Sequence, residues 1–437
     1  MGLRPQAPPT ANNLVANSLV VLYLRGFVTQ PRPQPALGNY AGGERFWDRT
    51  QEVAEISAYL ADGQGVLLTG PRRVGKTSIA HRVLEAMAPS TGTLFVDVEQ
   101  HANPTEMFAM IAAANCADAA FWGRIRAWFG KRLGAGLDRI DTIDVGVVKV
   151  ELQAAMAGSW RDDARAIIGA LAADGHPTVL AIDELPLLVD RILKRDPAEA
   201  ELFLGVLRAA ADGVPGVTWL VSGSVGLEPI LHRAGLTGMI THLRAYLIDA
   251  WDEETTNGAV AALARATGLR LSPATVASVH GLLGLGVPYH VQLLMDEVRR
   301  DAARRGDDRA STDDIDRVYR GPFLTSAVRA HLLHLETRLR TVLGEGDELR
   351  LARDLLTQAA VVGLLEPAEA TSLADQLVEN ASQRAGALRE VLEILEHDAY
   401  LSRGAAGWQF RSRLVRDWWR QGNELGFVPV ADRRDRP

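Results

Sequence analysis

Nine consecutive residues, Gly70, Pro71, Arg72, Arg73, Val74, Gly75, Lys76, Thr77 and Ser78, contain the pattern G-x-x-x-x-G-K-[ST]. That spacing suits a loop whose backbone N–H groups close around nucleotide phosphates. Lys76 is one of only four lysines among 47 Lys and Arg residues. A lysine in so arginine-rich a chain points to work that a planar guanidinium cannot do, namely placing a compact ammonium against β- and γ-phosphates. Thr77 offers a hydroxyl ligand for Mg²⁺. Arg72 and Arg73 suit contact with phosphate or with a neighbouring subunit, and equally suit solvated loop positions.

The loop must be held between a strand and a helix. Val66 to Thr69 is a short apolar run that predicts a buried strand, and Ser78 to Met87 predicts the helix after it. Gly70 and Gly75 admit backbone torsions and close approach that a side chain would block, and the helix N-terminus adds positive partial charge.

A second chemical feature closes the run Thr178 to Glu184. Its apolar stretch predicts a central parallel strand that delivers Asp183 and Glu184 to its C-terminal end. Asp183 is expected to orient Mg²⁺ through its water shell, and Glu184 to polarise the water that attacks a γ-phosphate. An apolar run ending in two acids is common by itself. Paired with Lys76 it completes one metal-phosphate site. A third strand, Gly216 to Val221, ends in Ser222, Gly223 and Ser224. Ser222 or Ser224 either reads the γ-phosphate, holds the attacking water, or caps the helix starting near Val225. Thr93 to Val98 and Leu243 to Ile248 supply the remaining strands of a five-stranded parallel sheet. Asn103-Pro104-Thr105-Glu106 opens a helix, and Trp160 to Ala173 predicts another. Between them, about 118 to 158, glycines at 130, 134 and 136 and the alternating run Ile143 to Leu152 predict an insertion with a small hairpin or edge strand.

With 437 residues the chain is expected to hold two or three domains. Hydrophobic content of 47% and charged content of 23% are those of a globular protein with a sizeable core. A net charge of -7 opposes broad attraction to nucleic acid, so any DNA contact must be local. The lone Cys116 excludes an internal disulfide framework and a cysteine-based zinc site. It suits a reducing cytoplasm and reads as a small buried hydrophobe. The stretch Leu19 to Leu24 is too short to span a bilayer and lacks the flanks of a signal peptide.

Phe46-Trp47-Asp48-Arg49-Thr50-Gln51-Glu52 ahead of the phosphate loop, followed by Ile182-Asp183-Glu184-Leu185-Pro186 and Ser222-Gly223-Ser224-Val225-Gly226-Leu227, resembles the archaeal-type ATPases of prokaryotes. These lie near the AAA+ and STAND ATPases and are related to origin-recognition initiators. The similarity runs from about Phe46 to Trp419. It implies that Phe46, Arg49 and Glu52 pack along the adenine side of the site, and that Gly286-Val287-Pro288-Tyr289 forms a Gly-x-Pro turn in a helical lid near base and ribose. Proline fixes that turn and removes a donor, giving an apolar edge. The chain departs from AAA+ enzymes in lacking a clear arginine finger or lid sensor arginine. Arg233 and Arg244 are the nearest candidates.

Beyond the lid, helices at Leu349 to Val361 and Leu388 to Leu395 precede two short strands around Gly404-Ala405-Ala406-Gly407, a pattern that looks like a winged helix. Arg384, Arg389, Arg403, Arg411 and Arg413 would be its contacts to double-stranded DNA. The other reading is a module that binds protein or restrains its own chain. Trp418 and Trp419 read as core aromatics on the last helix.

The expected fold is α/β. It comprises an irregular arm (1–40), a P-loop ATPase core (41–250), a helical lid (251–310), a helical linker with winged helix (311–425) and a disordered tail (426–437). The expected activity is slow hydrolysis of ATP with Mg²⁺, catalysed by Lys76, Asp183, Glu184 and Ser222, in a cytoplasmic switch. That switch would act on a protein partner, a homo-oligomer or DNA and need no membrane. The alternative is a DNA-binding initiator or transcription regulator in which ATP serves conformation or assembly.

Overall fold

The chain is described by a computed structural model over residues 46–130 and 145–433. The expected N-terminal arm, Gly134 and Gly136 lie outside those residues.

Helix α1 (Thr50–Ala61) precedes strand β1 (Gly65–Thr69), and the phosphate loop leads from β1 into α2 (Lys76–Met87). After β2 (Gly92–Asp97), the described residues form α3 (Pro104–Ala114), α4 (Ala119–Phe129), α5 (Val145–Ala155) and α6 (Trp160–Ala172) before the next strand. Then come β3 (Thr178–Asp183), α7 (Leu185–Arg195), α8 (Pro197–Gly213), β4 (Val217–Ser222), α9 (Leu227–Arg233) and β5 (Leu243–Leu247).

The five strands form one parallel sheet in the order β2-β3-β4-β1-β5. Apolar content decides the layers. All six residues of β3 are buried, as the uninterrupted run Val179 to Ile182 requires of a strand covered on both faces. One face packs Ile56, Leu60, Ile79 and Val83 of α1 and α2 against Val66, Leu68 and Leu220. The other packs Leu67, Leu180, Ile182 and Val221 against α3 to α9. Cys116 is buried there.

The expected hairpin or edge strand from Ile143 is corrected: residues 145–155 are helical. Val148, Leu152 and Met156 recur every four residues and are buried, while Val145, Val147 and Val150 stay exposed. Packing of that one stripe onto the domain outweighs the strand preference of the valines.

Past the sheet come α10 (Glu253–Thr267), a short strand β6 (Arg270–Leu271), α11 (Pro273–Leu283) and α12 (Pro288–Arg304), with Trp251 bridged to Gly286. Strand β7 (Arg309–Ala310) pairs parallel with β6. Helix α13 (Thr312–Val318) starts on a capping box between Ser311 and Asp314. Helix α14 (Arg329–Leu343) connects to a last cluster of α15 (Asp347–Val362), α16 (Pro367–Leu377) and α17 (Arg384–His397). An antiparallel hairpin of β8 (Leu401–Arg403) and β9 (Trp408–Phe410) follows, extended by a bridge between Leu365 and Trp408. Helix α18 (Arg413–Asn423) then buries Trp419, whose indole N–H donates to Thr357 at 3.1 Å. The tail expected to be disordered instead packs at 430–433, where α19 (Val430–Arg433) buries Val430 and Gln358 accepts the Val430 N–H at 3.1 Å. No described helix is long and apolar enough to cross a membrane.

Candidate functional site

Parallel strands leave their C-terminal ends on one edge, and that edge opens into a cavity of about 440 Å³. Register sets its polar end. Asp97 at the end of β2 is aligned with Asp183 at the end of β3, and Leu68 of β1 with Ser222 of β4. The N-terminal part of α12 supplies another wall through Pro288, Tyr289 and Gln292.

The phosphate loop takes the shape its glycines allow. Gly70 has φ 126°, and a Cβ there would collide with the Ile248 carbonyl oxygen. Gly75 has φ 100° and open space where a Cβ would stand, at the N-cap of α2. The Lys76 ammonium is buried and donates to the carbonyls of Gly70 at 2.8 Å and Pro71 at 2.9 Å. Desolvation pushes its pKa down to about 8 despite the nearby Glu184 and Asp183 carboxylates.

Asp183 is gripped from both sides. Thr77 donates to its Oδ2 at 2.7 Å and Ser222 to its Oδ1 at 2.6 Å. Ser222, one of the two serines expected to read the γ-phosphate, hold the attacking water or cap a helix, is thus buried behind the carboxylate and does not line the cavity. Ser224 lines the cavity instead and holds Glu184, donating to its Oε2 from the backbone N–H at 2.9 Å and the hydroxyl at 2.8 Å. Burial holds the Glu184 carboxyl above its usual pKa, opposed by those Ser224 bonds. Glu184 itself has φ 62° at the start of α7, and Arg49 (φ 71°) and Arg73 (φ 70°) are also left-handed. All three line the same cavity, as strained backbone at a working site does.

At the other end the walls are apolar and aromatic: Phe46, Trp47, Trp251, Pro288 and Tyr289. Arg49 is buried beside them and donates to Glu52 at 2.7 Å and to the Asp249 carbonyl at 2.5 Å. The cavity therefore joins an aromatic end, which suits a base, to an end of backbone N–H groups, an ammonium, a hydroxyl and carboxylates, which suits phosphates and a hard cation.

Sequence reasoning named Arg72 to Ser78, Asp183, Glu184, Phe46, Arg49 and Pro288, all of which line this cavity, and Gly70, Pro71 and Glu52, which do not. It missed the two tryptophans and the end of β2, where Asp97 and Glu99 line the cavity. It also missed α14. His334 contacts Arg72, His331 contacts Arg73 at 3.4 Å and also Tyr289, and Arg338 donates to the Ser224 carbonyl at 2.9 Å. The two finger candidates stand elsewhere. Arg233 donates to Val342 O at 2.8 Å, and Arg244 lies 4.0 Å over the Tyr59 ring.

Of the five arginines considered for DNA, Arg384 donates to Val378 O at 2.9 Å and Arg403 lies 5.3 Å over the Trp408 ring. Arg411 binds both carboxylate oxygens of Asp249 at 2.6 and 2.7 Å, and Arg413 lies 3.4 Å from Asp417. Arg389 is exposed.

Residues 45–219 match the model of the AAA ATPase domain. Among solved structures, the Walker-type ATPase of Pyrococcus abyssi is 18% identical with a TM-score of 0.60, covering 87% of this chain and 98% of that one. The ORC2 protein of Aeropyrum pernix, solved in ADPNP and ADP complexes, is 14% identical with a TM-score of 0.53, covering 87% of this chain and 96% of that one. These likenesses show the fold. No curated protein matches the chain.

Proposed function

We propose that this chain, whose residues 45–219 carry an AAA ATPase domain, hydrolyses ATP to ADP and phosphate slowly and acts as a nucleotide-dependent switch. One observation carries the reading: Lys76, the Thr77–Asp183 pair and the Ser224-held Glu184 line a single cavity whose far end is aromatic.

The loop N–H groups and the Lys76 ammonium would bind the β- and γ-phosphates, with the base between Trp47, Trp251 and Pro288. Glu184 is poised as the base: burial raises its proton affinity, while Ser224 keeps it oriented. Thr77 and Asp183 fit Mg²⁺. They offer two hard oxygens 2.7 Å apart, and an ion of this kind completes its shell with phosphate oxygens and water. When bound, the ion would neutralise charge on the phosphate oxygens.

The output runs through α10 to α12, which we read as a lid whose Pro288, Tyr289 and Gln292 line the cavity, and through α14, which contacts Arg72, Arg73 and Ser224 and is tied to the C-terminal helices by the Arg338–Asp398 pair. We read 347–410 as a winged helix: three helices, then a hairpin, with the Leu365 bridge as its third rung. A protein partner in the cytoplasm, including a second copy of the chain, is the first reading for this module. On α17, Arg384 and Arg389 stand against Glu390, Glu393 and Glu396, a balance that does not favour phosphate backbone. The second reading, a DNA-bound regulator, rests on the exposed Arg389, with Arg403, Arg411 and Arg413 released from their present contacts. ATP turnover with and without Mg²⁺ and duplex DNA separates them. Mg²⁺-dependent turnover indifferent to DNA supports the first, strong stimulation by duplex supports the second, and absence of turnover in both removes the ATPase reading.

A further inference from the structure

The bonds that orient Glu184 do not end at Ser224. The Ser224 hydroxyl and N–H both serve one oxygen of Glu184, and the Ser224 carbonyl in turn accepts from Arg338 of α14 at 2.9 Å. The same guanidinium forks onto Asp398, donating from Nε at 2.6 Å and from Nη2 to the second carboxylate oxygen. Both partners are nearly buried, with side-chain exposures of 14% and 6%. A planar fork that satisfies a carboxylate with two nitrogens and a peptide carbonyl with the third is a fixed arrangement that lysine cannot reproduce.

Asp398 belongs to the C-terminal cluster, at the C-cap of α17. Its neighbour His397 closes on the same catalytic loop: a Cβ on Gly226 would collide with the His397 ring. Tyr400 adds a third tie, its hydroxyl donating to Leu335 O of α14 at 2.7 Å. Three separate contacts therefore converge on two elements, the loop Ser222–Gly226 and α14. A packing staple would not need to end on the residue that grips Glu184.

We propose that Arg338 is a positioning residue for hydrolysis, holding Ser224 and through it Glu184 in place only while the C-terminal helices are docked through Asp398. This rests on the reading of Glu184 as the base. A partner that pulls α17 away would lower turnover without touching the nucleotide.

The test uses the full chain as wild type, Glu184→Gln, Arg338→Lys, Asp398→Asn and the double variant, measuring fluorescent ADP affinity, KM and kcat. Arg338→Lys and Asp398→Asn are expected to bind ADP within about twofold of wild type, with kcat lowered about tenfold or more. The double variant should be no worse than either single one, because both break one chain of bonds.

Unchanged kcat in Arg338→Lys and Asp398→Asn, with Glu184→Gln inactive, would overturn the proposal and leave Arg338 a packing residue. Loss of ADP affinity in step with kcat would overturn it too. Wild-type turnover in Glu184→Gln would strike the base reading itself, an outcome recognisable from that variant alone.

Discussion

The Lys76 ammonium donates to the carbonyl of Gly70, the residue that opens its own loop, at 2.8 Å. Buried among neutral acceptors, it has a pKa of about 8. A phosphate that replaces those carbonyls restores the charged form, so the bound state holds more protons than the free one. Nucleotide binding is therefore expected to take up protons from about pH 8 upward, with affinity falling as pH rises. Calorimetry in two buffers of different ionisation enthalpy at pH 8.5 checks this, and equal heats would count against it. For the empty protein the sign is opposite. The unfolded chain binds more protons between about pH 8 and the ordinary lysine value of 10.5, so this one group adds stability as pH rises through that window.

Asp183→Asn keeps the shape of the side chain and removes its charge. Thr77 and Ser222 both donate to Asp183, so one hydroxyl will face an amide N–H₂ and lose its acceptor. The expected cost is about 1–3 kcal/mol of stability, and Mg²⁺-dependent turnover should fall by about 100-fold or more. Thermal unfolding and a Mg²⁺ titration of turnover read the two effects separately. A variant with wild-type Mg²⁺ response would contradict the assignment of Thr77 and Asp183.

The two loop glycines should fail differently. Gly70→Ala drives a Cβ into the Ile248 carbonyl at φ 126° and is expected to cost about 3 kcal/mol or more. Gly75→Ala meets open space at φ 100° and should cost only about 1 kcal/mol. That open space is where phosphates would lie, so Gly75→Ala should fold yet bind ADP at least about tenfold more weakly. Denaturant midpoints beside ADP titrations measure both. Equal destabilisation by the two substitutions would refute the distinction.

Much of this was legible in the chain because it is local. The run Val179 to Ile182 had to be a strand buried on both faces, and the glycine spacing around Lys76 fixed the loop. Ser222 and Ser224 show the first limit. Both end the same strand, and only the register with Asp183 reveals that the first serine serves the Asp183 carboxylate and the second serves Glu184. Helix α5 shows the second, since β-branched alternation and a four-residue stripe coexist in one segment and tertiary packing chooses. Helix α14 shows the third. His331, His334 and Arg338 share one helical face that reads as solvated, and their partners Arg73, Arg72 and Ser224 lie 258, 262 and 114 residues away. No local pattern encodes a contact over that separation.

Glu184 is the residue on which hydrolysis turns most directly. ATP turnover in the presence of Mg²⁺ should be measurable for the wild type. Glu184→Gln should bind ATP within about threefold of wild type while turning it over at least about 100-fold more slowly. Equal turnover by the two proteins, or failure of either to bind ATP, would contradict it.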